Sequence, residues 1–125
     1  MFKVIVAGSR NFTDYTFASK ILDKAFSNRK PDRIICGLAK GADMIGLQYA
    51  LAHKIAICEY PADWEHEGKS AGYNRNVRMA DVADAVVVFW DGESRGSKHM
   101  IEIAVNKGLP VIVCRYRENK IYKIG

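Results

Sequence analysis

The sequence predicts an α/β domain: a doubly wound, mostly parallel sheet of about five strands, Rossmann-like, with a short antiparallel hairpin at the C-terminal end. Three observations predict it. Dense apolar runs such as Val4-Ile5-Val6-Ala7 and Ala85-Val86-Val87-Val88-Phe89-Trp90 lack polar alternation, as strands buried on both faces do. Segments with helical periodicity separate these runs, and strands alternating with helices build parallel sheets through right-handed crossovers. Two glycine-rich turns, Gly8-Ser9-Arg10 and Gly37-Leu38-Ala39-Lys40-Gly41, each lie between an apolar strand and a helix. Glycine permits positive φ and close backbone approach, and a helix N-terminus offers unpaired N–H groups to an anion.

Phe2–Ala7 forms the first strand. Thr13 or Asp14 can cap a helix running to about Ser27, with Phe17, Ile21, Leu22 and Ala25 as its apolar stripe. Pro31-Asp32 breaks the chain before a second strand, Arg33–Cys36. A helix over Ala42–Ala52 carries Ile45, Tyr49 and Ala52 at helical spacing, and a third strand, Ile55–Glu59, ends before Pro61. The stretch Ala62–Tyr73 is expected to be irregular. Asn74–Ala83 reads as a helix, with Val77, Met79 and Val82 placed for the core or for an interface between copies. Ala85–Trp90 is the fourth strand, Asp91–Gly96 a turn and Ser97–Asn106 a helix closed by Gly108. Pro110–Cys114 is the fifth strand. Tyr116–Ile124 alternates, which suits an edge hairpin turning near Glu118-Asn119. No repeat or linker interrupts the chain, so a single domain is expected over residues 1–125.

Composition narrows the class. A 125-residue chain with 49% apolar and 26% charged residues is of ordinary globular type. No apolar run approaches the about 20 residues that span a bilayer, and Met1-Phe2-Lys3 opens no signal-peptide pattern, so a cytoplasmic protein away from membranes is expected. Three cysteines, Cys36, Cys58 and Cys114, without C-x-x-C or a His-rich partner segment, point to reduced thiols rather than a disulfide frame or zinc site. Neither a metal nor a bound cofactor is expected. The net charge of +5 is spread without a block of five like charges, a mild attraction for polyanions.

Doubly wound sheets bind ligands beyond the carboxyl ends of their strands, where the strand order reverses. The loops delivered to that edge are rich in Gly, hydroxyl, basic and Trp residues, which suits a phosphate-bearing ligand with a stackable ring. Gly8, Ser9, Arg10, Gly37, Lys40 and Gly41 are expected to hold phosphate. Asp43 would fix the second turn, and Trp64, Asp91 and Ser97 would line base and sugar, joined by Arg75, Asn76, Ser94 and Gly96. Plainer roles compete: a salt bridge for Arg10, a helix cap for Asp43, a packing anchor for Trp64, an ion pair with Arg10 or Arg95 for Asp91, and solvation for Arg75-Asn76. The glycine spacing is neither G-x-G-x-x-G nor G-x-x-x-x-G-K-[ST]. No Ser-His-Asp or Cys-His spacing is recognisable, so no catalytic set is assigned.

Five motifs in order resemble the SLOG superfamily, and within it the small YspA-type proteins of bacteria and phages. They are Gly8-Ser9-Arg10; Gly37-x-Ala39-x-Gly41-Ala42-Asp43; Tyr60-Pro61-Ala62-Asp63-Trp64; Ala71-Gly72-x-x-Arg75-Asn76-x-x-Met79; and Trp90-Asp91-Gly92-x-Ser94-x-Gly96-Ser97. The resemblance runs from Val4 to about Val113 and implies a Rossmann-like domain that binds a nucleotide or nucleotide-derived small molecule. Some relatives, the cytokinin-activating phosphoribohydrolases, cleave a base–ribose bond with the Glu of a Pro-Gly-Gly-x-Gly-Thr-x-x-Glu turn and an Arg elsewhere. Here Met100 stands at the place of that Glu and Glu102 follows two residues later, leaving Arg75 and Glu102 as the candidate catalytic pair for an N-glycoside hydrolase. The second turn also looks like Gly-Leu-Ala-x-Gly-Ile-Asp of the DNA-processing protein A family, which implies single-stranded DNA as a further partner. Relatives often pair, which implies a homo-oligomer.

Overall fold

The computed structural model describes all residues, Met1–Gly125. A six-stranded sheet is built from β1 (Lys3–Gly8), β2 (Arg33–Cys36), β3 (Ala56–Glu59), β4 (Ala85–Trp90), β5 (Val111–Arg115) and β6 (Lys120–Ile124). The helices are α1 (Tyr15–Ala25), α2 (Ala42–Ala52), α3 (Trp64–Glu67), α4 (Ala71–Val82) and α5 (Arg95–Asn106), with a 3-10 turn at Gly68–Ser70. Strand order is β3-β2-β1-β4-β5-β6, and every pairing is parallel except β5 with β6. The C-terminal hairpin expected from alternation is thus a sixth strand, reversed through Asn119 at φ 53.

Alternation along the strands sorts the core into two layers. Val4 and Val6 of β1 face α1 and α2 with Leu22, Ile45 and Tyr49, whereas Ile5 and Ala7 face α4 and α5 with Met79, Met100 and Ala104. Such two-sided burial is why the strands read as unbroken apolar runs. Gly46 lets α2 lie close on the sheet: a Cβ there would stand 2.8 Å from that of Val6. Asp14 caps α1 by accepting from the Phe17 N–H at 3.1 Å, so of the two expected caps Asp14 serves.

The structure corrects the stretch Ala62–Tyr73. It is helical over most of its length, with α3, the 3-10 turn and an α4 that begins at Ala71, three residues before the expected start. Asp63 starts α3 by accepting from the His66 N–H, and Ala71 is fully buried, so capping and burial override a polar, glycine-containing sequence. On α4, Met79 is core, Val82 half-buried and Val77 exposed. No helix is long and apolar enough to cross a membrane.

Candidate functional site

Successive connections run outward from β1 to β3, and the chain then returns to place β4 on the other side of β1. The two directions of winding leave a crevice beyond the C-terminal ends of β1 and β4. A cavity of about 360 Å³ occupies it. That volume lies at the lower end of the ~300–1,000 Å³ range of small-molecule sites.

Arg75 organises the cavity. It is 8% exposed, yet it carries a guanidinium. Its Nη1 donates to the Gly37 carbonyl at 2.6 Å and its Nε to Asn76 Oδ1 at 3.1 Å. Asp43 Oδ2 lies 4.0 Å from Nη1. Burial lowers the guanidinium's affinity for its proton, and the Asp43 carboxylate works against that loss. Burial likewise pushes the Asp43 carboxyl up to about 6, against the pull of Arg75 and of the Ala39 N–H, which donates to it at 3.1 Å. Gly37 makes room for the pair: a Cβ there would lie 2.6 Å from Arg75 Nη1 and 2.7 Å from Asp43 Oδ2. Nη2 of Arg75 makes no hydrogen bond, and no fully buried side-chain nitrogen is left unpartnered, so Nη2 opens onto the space that Arg75 lines.

The other walls come from three turns. Gly8 ends β1 and Arg10 follows it, Asp91 follows β4, and Ser94, Gly96 and Ser97 form the start of α5. Ser94 caps α5, its Oγ 3.1 Å from that of Ser97, while Asn76 Nδ2 donates to the Gly96 carbonyl at 3.2 Å. Asp91 is committed to the turn. Partial burial raises its carboxyl, but N–H bonds from Ser94 and Glu93, each 2.8 Å, outweigh this and hold it below the usual range. Asp91 pairs with neither Arg10 nor Arg95, and Arg10 forms no ion pair: its guanidinium stands 5.8 Å from the centroid of the exposed Trp64 ring.

Several expected site residues are placed differently. Ser9 is buried and its Oγ accepts from the Asp91 N–H at 3.0 Å, which ties the β1 turn to the β4 turn. Gly41, at φ 79, begins α2 against the carbonyls of Ser9 and Arg10. Neither lines the cavity. Gly37 and Lys40 line an adjoining groove, with Arg10, Ala39, Trp64 and Arg75 common to both spaces. Asp43 is not a cap: it bonds the Ala39 N–H, and α2 has no side-chain cap. Arg75 and Asn76 are buried rather than solvated. Glu102 is exposed on α5 outside the cavity, whereas Met100, fully buried, lines it.

Lys69 and Tyr73 also line the cavity and were not anticipated, because both lie in the segment read as irregular. Tyr73 packs edge-on against His99, ring centroids 4.6 Å apart. Partial burial lowers the His99 imidazole against the opposing pull of Glu102, and Nδ1 lies 3.3 Å from Asn76 Nδ2. Of the aromatic residues near the loops, Phe12 is buried against Phe89 and Tyr116, and Trp90 donates Nε1–H to the Ser94 carbonyl, leaving Trp64 and Tyr73 open. Cys36 and Cys114 are buried, Cys58 is half-buried, and all three are free thiols. No group of three or more His, Cys, Asp or Glu side chains is gathered to hold a metal ion.

Strand order and crevice together define a Rossmann-like α/β domain with its cavity at the switch point. The chain belongs to the YspA, cpYpsA-related SLOG family, whose model matches residues 2–66. It is similar to the Gene 61 protein of Mycobacterium phage D29, with 32% identity over 119 residues, covering 90% of this chain and 95% of that protein. No solved structure matches it significantly.

Proposed function

We propose that this protein binds a nucleotide or nucleotide-derived small molecule in the crevice between β1 and β4, as a sensing or sequestering module. One observation carries the reading: a nine-tenths-buried Arg75 with two nitrogens fixed to the chain and the third open to the cavity. A guanidinium held so rigidly is pre-organised for an anion. The first turn of α5 offers further N–H groups, Arg10 and Lys69 add positive charge, and Trp64 and Tyr73 offer ring faces. Membership of the SLOG family supports the same ligand class.

The test is calorimetric titration of the intact protein with the four common 5′-mononucleotides, repeated on Arg10→Ala. Binding of one of them, weakened by roughly 1.5–3 kcal/mol in the variant, is the expected result, since that is the scale of a charge-assisted hydrogen bond. Unchanged affinity in Arg10→Ala removes Arg10 from the site. Cleavage of the N-glycosidic bond is a second reading, favoured by the Asp43 carboxyl, which lines the cavity and which burial pushes up to about 6. Release of free base from a bound nucleotide, abolished in Asp43→Asn and retained in Glu102→Gln, would replace sequestration by hydrolysis.

A further inference from the structure

Alongside the cavity runs the groove of about 550 Å³, formed by the turn after β2, the Pro61-Ala62 segment and Trp64. Its charged lining is entirely cationic: Arg10, Lys40 and Arg75, with no carboxylate. The cavity, by contrast, balances Arg10, Lys69 and Arg75 with Asp43 and Asp91. Lys40 is exposed and makes no ion pair, and neither does Arg10. These two cations therefore have no carboxylate partner, and the third, Arg75, presents its one unbonded nitrogen on the wall common to both spaces.

Arg10, Ala39, Trp64 and Arg75 line both concavities. A ligand confined to the cavity would leave the more cationic of the two spaces empty. Leu38, Pro61 and Ala62 give the groove apolar surface as well, so it can take a ring or sugar in addition to charge. Leu38 holds a left-handed conformation at φ 61, which a branched residue seldom adopts, and this turn carries Leu38, Ala39 and Lys40 past the groove.

Resting on the nucleotide-binding reading above, we infer that the ligand is two-ended: two nucleoside or sugar units joined through a pyrophosphate. One unit lies in the cavity and the second in the groove beyond Trp64. The bridging phosphates lie between Arg10 and Arg75, with Lys40 reaching the far side.

The experiment titrates the intact protein with the 5′-monophosphates of adenosine, guanosine, cytidine and uridine. Each is compared with the corresponding dinucleoside diphosphate, with ADP-ribose, with inorganic pyrophosphate and with a short oligo-dT. The expected result is that a pyrophosphate-bridged ligand binds at least tenfold more tightly than the mononucleotide sharing its base. In Lys40→Glu, whose side chain is exposed and unpaired, that ratio falls at least threefold. A mononucleotide that binds as tightly as its bridged counterpart overturns this inference and leaves the nucleotide reading standing. Failure of every mononucleotide and every bridged ligand overturns both. Tighter binding of oligo-dT than of any bridged small molecule overturns the inference in favour of DNA.

Discussion

At the scale of single residues the cavity is governed by one buried ion pair, Asp43 with Arg75, which meet from positions 32 apart in the chain. Asp43 has a testable signature in stability. Its folded-state value of about 6 stands above the ordinary 3.8, so between those values the native state holds a proton that the unfolded state releases. The contribution is complete below about pH 4 and lost as pH rises through 6, and at 1.36 kcal/mol per pH unit it amounts to ~3 kcal/mol. Denaturant titrations of the wild type and Asp43→Asn at pH 4, 5, 6 and 7.5 should show the wild type losing about that much relative to the variant. A pH-independent difference would mean that Asp43 stays ionised throughout. Glycines respond to the same geometry in opposite ways. Gly37→Ala forces a methyl group into the ion pair and should destabilise by about 1–3 kcal/mol. Gly96→Ala, in the first turn of α5 with nothing within 4 Å of the new carbon, should stabilise by up to ~1 kcal/mol. Chemical denaturation measures both.

Elements differ in how openly the chain announces them. The strands were legible because a parallel strand covered on both faces must be apolar at every position, and Val86-Val87-Val88-Phe89 leaves little else to form. The edge β3 was legible from β-branched content and Pro61, although its residues are only partly covered. The short α3 was not, because Trp-Glu-His-Glu has no apolar stripe and is held by one capping carboxylate and by Trp64 packing towards Gly72. The candidate site divides along the same line. Loop residues such as Arg10, Ser94 and Ser97 could be placed from strand ends alone. Lys69 and Tyr73 depended on the unforeseen helix, and the burial of Arg75 depended on a partner distant in sequence. Because α3 positions Trp64, Asp63→Ala should weaken nucleotide binding several-fold, with a global stability loss of no more than about 1 kcal/mol, the usual worth of a helix cap. Trp64 fluorescence and a melting curve together separate the two effects. Affinity unchanged by that substitution would show that α3 holds without its cap.

On the scale of the whole molecule, the charge of +5 is dispersed, and only a few cations, Arg10, Lys40, Lys69 and Arg75, line the groove and cavity. Binding of a small phosphate ligand should therefore weaken only modestly with salt, by contrast with a single strand, for which each neutralised phosphate contributes a slope of about −0.7 in log K against log salt. A titration between 50 and 200 mM NaCl distinguishes the two. The sheet order carries a different consequence. The loops before Pro61 build one wall of the crevice, the segment from α3 through α4 together with the turn and helix after β4 builds the rest, and β1 and β4 meet as neighbours in the middle of the sheet. Cut at residue 62, the chain becomes two pieces, each holding part of the cavity lining and each exposing one edge of the same central ladder. Co-expressed fragments should reassemble through that ladder, and any nucleotide that binds the intact chain should tighten their union. If the proposed nucleotide binds there, the fold would serve as a two-part reporter whose halves are joined by their own analyte.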